Sequence, residues 1–257
     1  MKKSNKYWYL SVASVVLFLG IWMLVTDVLH IFSETMLPSP VKVLQAFVQK
    51  FYDPKPEGGT MLTHIWASLK TVLSGYLLGA VIGIPLGICM AWFRPVDRFV
   101  RPLFDLIKPV PGIAWIPVMI TLFGIGILGK AMIVFMTAFI ACIVNSYSGI
   151  KQTRDVHLWV SQTFGASNLQ QLFTVAIPTA LPMIMTGLRV ALGAAWSAVI
   201  AAELLASSSG IGFMIQQCRG LARPDIIIAG MVVIGLIGTV LTWALGKLEK
   251  RVLKGRR

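Results

Sequence analysis

Charge is scarce in this chain. Only 13% of its 257 residues are Asp, Glu, Lys or Arg, against 56% that are apolar, and a soluble domain of this size is not built on so little polar surface. Acidic residues are the scarcest charges, ten against 23 basic ones. Cysteine is also rare: Cys89, Cys142 and Cys218 show no metal-ligand spacing and read as small apolar fillers. His30, His64 and His157 lie far apart and fit no H-E-x-x-H pattern. No paired-carboxylate motif appears, and Gly193-Ala194-Ala195-Trp196-Ser197 lacks the pattern of a nucleophile elbow. These absences argue against an intramembrane enzyme. No repeat of roughly 20 to 50 residues is apparent and the chain does not fold into two similar halves, which argues against a carrier driven by an ion gradient.

Long apolar runs, by contrast, are everywhere. Mean hydropathy is +0.79, and runs of about 18 or more apolar residues, enough to cross about 30 Å of hydrocarbon, recur along the chain. Six spans are expected, at 8–29, 65–93, 103–124, 131–150, 181–205 and 226–245. The first is too long for a secretory signal, and Asp27-Val28-Leu29-His30 offers no small-residue cleavage site, so it reads as a retained span. An even number of spans puts both termini on one side. That side carries fourteen Lys and Arg (Lys2, Lys3 and Lys6, the 94–101 and 151–154 segments, and the tail), against six on the other: Lys42, Lys50, Lys55, Lys130, Arg219 and Arg223. The positive-inside rule then places both termini in the cytoplasm. The net charge of +13 is mostly this topology signal. No basic helix or aromatic-interleaved basic patch suggests nucleic acid, although the basic tail can touch anionic headgroups. The expected layout is a single membrane domain over 1–257, with a cytoplasmic N-terminus at 1–7, an external amphipathic helix at 38–52, a cytoplasmic loop at 151–180 and a basic cytoplasmic tail at 246–257.

Local patterns add detail. Ser39 as N-cap with Pro40 behind it starts a helix whose Val41, Leu44, Phe47, Val48 and Phe51 share one face. Gly75, Gly79, Gly83 and Gly87 recur at four-residue spacing, a stripe that lets helix backbones approach closely in lipid, and Pro85 is expected to kink that span. Pro109, Pro111, Gly112 and Pro117 break the third span, either to line a cavity or as an irregular entry. Gly124 to Lys130 matches both G-x-G-x-x-G and a phosphate loop without its final hydroxyl residue, and reads as a turn between spans. Any ATP must therefore bind to another chain. Asp27, Lys70, Asp105, Lys108, Arg189 and Glu203 lie in spans or at their ends, where charge is costly. Asp105 and Lys108 can pair on one helix face. Arg189 and Glu203 stand about 21 Å apart along one helix and cannot bond each other, so each is expected to fix a neighbouring helix. The three cations among these six residues balance the three anions, so the spans do not declare an anion-selective pore.

The most polar interruption is the segment 151–181. Ser167-Asn168-Leu169-Gln170 is a capping box, and Gly165 can end the preceding helix in a left-handed conformation. Two short helices at an angle result, too short to be stable alone in water, so they are expected to dock on something.

At these residues the chain resembles the permease subunits of bacterial binding-protein-dependent ABC importers, in the branch for taurine, aliphatic sulfonates, nitrate and bicarbonate. The likeness is carried by Leu37-Pro38-Ser39-Pro40, Gly83-Ile84-Pro85-Leu86-Gly87, Lys108-Pro109-Val110-Pro111, Phe164-Gly165-Ala166-Ser167, Thr186-Gly187-Leu188-Arg189, Ala201-Ala202-Glu203-Leu204 and Gly210-Ile211-Gly212-Phe213-Met214. It implies an all-α type I ABC importer transmembrane fold of six transmembrane helices with cytoplasmic coupling helices, located in the bacterial inner membrane. It further implies a permease homodimer, two cytoplasmic ATPase subunits holding ATP and Mg, and an external solute-binding protein; this chain itself would hold no cofactor, metal or catalytic site. Gly165 would take the glycine of the family's E-A-A-x-x-x-G loop, but Trp159-Val160-Ser161 stands where Glu-Ala-Ala is common. The coupling candidates are Trp159, Gly165, Ala166, Ser167, Asn168 and Leu169, and those for the pathway or gate are Pro111, Trp115, Arg189, Trp196, Glu203, Phe213 and Met214. The solute implied is taurine or another sulfonate, with nitrate, bicarbonate or another small organic anion as the alternative. An ion-gradient-driven secondary transporter is a remote alternative.

Overall fold

The computed structural model describes residues 8–254. The expected N-terminal segment 1–7, with Lys2, Lys3 and Lys6, and residues 255–257 of the tail lie outside the described residues. Everything described is helix or connection: α1 (Trp8–Met23), α2 (Pro40–Lys50), α3 (Met61–Trp92), α4 (Arg94–Ile107), α5 (Ile116–Phe123), α6 (Ile127–Lys151), α7 (Asp155–Thr163), α8 (Asn168–Gln171), α9 (Ile177–Leu205), α10 (Ile211–Gly220) and α11 (Pro224–Val252). Five stretches are long and apolar enough to cross a membrane: Trp8–Val28, Met61–Trp92, Ile127–Lys151, Asn168–Leu205 and Pro224–Val252. A sixth span forms only if α4 and the helical stretch Gly112–Phe123, bent by 87°, are counted together.

That bend revises the expected third span. Prolines at 109 and 111 cannot continue α4, which ends at Ile107, and the chain restarts in a short 3-10 turn, Gly112–Trp115. Residues 94–101, expected as a loop, are the first half of α4. Asp105 and Lys108 form no ion pair, Lys108 being the cap residue where the helix stops. The fifth span also starts earlier than expected, at Asn168, because Pro178 and Pro182 sit near the beginning of α9 rather than ending a helix.

The chain divides into two compact units, one of Met1–His64 with Met214–Ile234 and the other of Ile65–Phe213 with Gly235–Arg257. In the first unit, α1 buries none of its residues and shows an apolar surface throughout. Helix α2 starts as expected, with Ser39 Oγ accepting from the Lys42 amide at 3.4 Å. Its two sides differ in burial. Val43, Ala46 and Lys50 are buried, whereas Val41, Leu44 and Val48 are exposed. The cause is Lys50, whose ammonium lies 2.7 Å from Glu57 and donates to the Lys55 carbonyl at 2.8 Å, both side chains being almost fully enclosed. An ion pair taken out of water must keep all its partners, and it turns the apolar face outward. His64 stands 3.4 Å from the same carboxylate, and burial followed by Glu57 pushes the nearby Cys218 thiol up to about 12, so Cys218 stays an inert filler.

In the second unit the glycine stripe does what its spacing predicts. A Cβ at Gly75 would lie 2.4 Å from the Ala131 carbonyl oxygen, at Gly79 2.8 Å from Ala138, at Gly83 2.9 Å from the Phe139 carbonyl and at Gly87 2.7 Å from the Ile143 carbonyl. Helices α3 and α6 therefore meet backbone to backbone. Helix α6 meets α9 in the same way, through Gly149 against Ala180 and Gly187 against Asn145. Pro85 is accommodated inside α3, which continues to Trp92.

Candidate functional site: an exposed elbow and a buried polar knot

The elbow is assembled from local rules. Asp155 in the first turn of α7 complements the helix dipole. At its end Gly165 adopts φ +80, its amide donates to the Gln162 carbonyl at 2.8 Å, and the Ala166 amide donates to the Ser161 carbonyl at 3.0 Å. This is a Schellman stop, and a glycine is what permits it. The capping box then opens α8: the Ser167 amide donates to Gln170 Oε1 at 2.8 Å, and the Gln170 amide to Ser167 Oγ at 3.4 Å. Gln171, buried behind the turn, donates to the Ala166 carbonyl at 3.0 Å. The second helix is not free-standing, as expected from sequence; it runs through a wide π turn, Leu172–Ala176, straight into α9.

Rigidity here is combined with exposed apolar surface. Trp159 is 61% exposed, Phe164 87% and Leu169 56%. Gly165, Ser167 and Asn168 are exposed and Ala166 is half-buried. Beside them runs an open groove of about 590 Å³ lined by His157, Val160, Phe164, Ala166, Val175 and Pro178. Of the coupling candidates, the structure gathers all six around one turn.

The other end of α9 is built the opposite way. Glu203 is 1% exposed. Ser68 Oγ donates to its carboxylate, 2.8 Å from both oxygens, and the Gly212 amide donates to Oε2 at 3.0 Å. The Ile211 amide in turn donates to Ser68 Oγ at 3.0 Å. Space for the carboxylate comes from glycine: a Cβ at Gly210, whose φ is +122, would lie 2.2 Å from it, and one at Gly212 would lie 2.7 Å from Glu203 Cβ. Just after Glu203 in the chain, Ser207 Oγ and the Ser209 carbonyl accept from Lys130, at 2.8 Å and 3.1 Å, and this lysine is 3% exposed. Sequence reasoning counted Lys130 as a loop charge and missed Ser68, Ser207 and Ser209. The available signal was that a carboxylate at a span end needs donors, and a Ser-Ser-Ser-Gly run begins four residues after it.

The remaining pathway candidates do not gather around Glu203. Arg189 is exposed and forms an ion pair with Glu249 of α11. Trp196 is buried, and a Cβ at Gly238 would lie 3.2 Å from its Nε1. Trp115 packs on Ile116, Met119, Ile133, Ala198 and Ala202. Pro111 is exposed at the bend, Phe213 is half-buried, and Met214 is fully buried against Gly230.

Helices long and apolar enough to cross a membrane, zipped by glycine and carrying an exposed helical elbow, define a helical membrane protein. The chain belongs to the family of binding-protein-dependent transport system inner membrane components, which it matches over residues 83–254. It is 34% identical, over its full length and 96% of the relative, to a putative ABC transporter permease protein of Methanocaldococcus jannaschii. It is also 34% identical to the taurine transport system permease protein TauC of Escherichia coli, over 95% of this chain and 88% of that one. The nitrate import permease protein NrtB of Leptolyngbya laminosa is 31% identical over 91% of this chain and 84% of its own. The fold matches a chain of the MetNI methionine ABC transporter in an inward-facing conformation with a TM-score of 0.63, at 17% identity over 76% of this chain and 94% of that chain. This is an ABC importer permease with the type I transmembrane fold, of the branch that includes the taurine and nitrate permeases.

Proposed function

We propose that this chain works as a homodimer in the bacterial inner membrane with two cytoplasmic ATPase subunits and an external solute-binding protein, importing taurine or another small sulfonate. Both termini and the α7–α8 elbow face the cytoplasm. The observation that supports this most directly is the elbow: apolar side chains on a turn held by a Schellman stop and a capping box are a rigid handle for another protein. Trp159, Phe164 and Leu169 enter the ATPase surface, and Gly165, Ala166, Ser167 and Asn168 hold them in place.

ATP and Mg belong to the partner. When ATP closes the two ATPases, the elbows are drawn together. Each elbow continues into α9, 29 residues long and therefore about 43 Å, which carries the displacement to the Glu203 end. The spans turn from inward-open to outward-open, and hydrolysis resets them. The chain's contribution is a difference in binding free energy between two conformations, with no covalent step. The taurine assignment draws support from the likeness to the taurine permease, and nitrate stands second on the likeness to the nitrate permease.

The test is reconstitution of the permease with its ATPase in lipid, followed by addition of binding proteins loaded with taurine, an alkanesulfonate, nitrate or bicarbonate. Taurine or a sulfonate should stimulate both ATP hydrolysis and uptake. Stimulation by nitrate alone would replace the solute, and uphill uptake without any ATPase would overturn the mechanism.

A further inference from the structure

Helix α4 is unlike the other long helices of its unit. Arg94, Arg98, Arg101, Asp105 and Lys108 follow one another at spacings of four and three, so they form one stripe. On the other side are Val96, Val100 and Phe104, packed onto Met90 and Ile143, and beside them Phe99, Leu103 and Leu106, which are 78%, 59% and 75% exposed. Half of its apolar face is thus covered by protein and half by none of the described residues.

The bend fixes where such a helix can lie. The charges of α4 cannot cross hydrocarbon, whereas Ile116–Phe123 carries none. The Gly112–Phe123 stretch is about 18 Å long and reaches only partway through the hydrocarbon; with that stretch entering along the membrane normal, a bend of 87° sets α4 close to the membrane plane. Its basic stripe then faces the headgroups and Phe99, Leu103 and Leu106 face the acyl boundary. Arg101 is committed, to Asp97 at 2.9 Å and to the face and hydroxyl of Tyr147. Arg94, Arg98 and Lys108 form no ion pair among the described residues, and neither does Asp105, which lies on the same stripe. Lys151, whose ammonium lies 5.7 Å from the Tyr147 ring, extends the same patch from α6.

We propose that α4 is an anionic-lipid site, in which Arg94, Arg98 and Lys151 hold phospholipid headgroups while Phe99, Leu103 and Leu106 lie among the acyl chains. The occupant is lipid rather than a soluble anion, because the unpaired cations border an uncovered apolar face that a free phosphate would leave wet.

The test uses the full permease assembled with its ATPase in vesicles of phosphatidylethanolamine and phosphatidylglycerol, with phosphatidylglycerol retained through detergent purification as the readout. Arg94→Gln with Arg98→Gln should weaken retention about thirtyfold, each cation near a surface contributing on the order of 1 kcal/mol. A matched tail variant, Lys250→Gln with Arg251→Gln, should change it little. Equal loss in both variants, or loss in the tail variant alone, would show that diffuse surface charge suffices and overturn the site. Unchanged retention in the α4 variant would overturn it too, as would displacement of the lipid by inorganic phosphate. A nitroxide at Phe99→Cys should report the headgroup–acyl boundary; a fully aqueous label would reject the placement independently of the charges.

Discussion

The two ends of α9 solve opposite problems. At its N-terminal end, backbone groups are satisfied locally and apolar side chains are left in the open; at its C-terminal end a carboxylate, a serine and a lysine are enclosed and spend their polarity on one another and on the 206–212 turn. An exposed apolar surface on a stiff support calls for a partner, whereas an enclosed polar cluster fixes its own geometry. The first is open to another surface, and the second is closed on itself.

The largest effect that would break this contrast comes from the elbow. Gly165→Pro cannot adopt φ +80, so membrane insertion should persist while copurification with the ATPase is lost; retained association would refute the docking assignment. Next is Ser68→Ala, which leaves the Ile211 amide and one lobe of the Glu203 carboxylate without a partner. A loss of about 1–3 kcal/mol is expected, read as a lower unfolding temperature, with ATPase association unchanged. If Ser68→Ala abolished association instead, the two ends would not be separable. Gly75→Ala forces a Cβ toward the Ala131 carbonyl and should cost about 1–3 kcal/mol by overpacking, measured by the same melting experiment. The smallest effect is expected for Arg189→Gln, whose partner Glu249 is reached at an exposed position; about 0–1 kcal/mol is typical of such a pair. A larger drop in uptake than in stability would return Arg189 to the pathway.

Much of this was legible in the sequence because it rests on local rules. The capping box, the glycine stop, the Ser39 cap and the close packing along Gly75 to Gly87 each follow from spacing alone. What escaped were choices made by contacts distant in the chain. The burial of Lys50 in α2 is one such choice, because its partner Glu57 cannot be inferred from helical periodicity. Ser68 stands 135 residues from Glu203, so no pattern within a single helix joins them. Residues 94–101 were read as a loop because a stripe of arginines resembles a solvated connection until its apolar half is counted as well. The elbow residues are consecutive in the sequence, whereas Arg189, Trp196 and Glu203 each turn to a different neighbour that helical spacing does not reveal.

The glycines at 75, 79, 83 and 87 leave no cushion of side chains between α3 and α6. Main chain rests on main chain along four successive turns, so neither helix can slide past the other without collision. The pair therefore tilts as a single beam. The sharp bend at 108–111 and the wide turn at 172–176 both lie outside that seam.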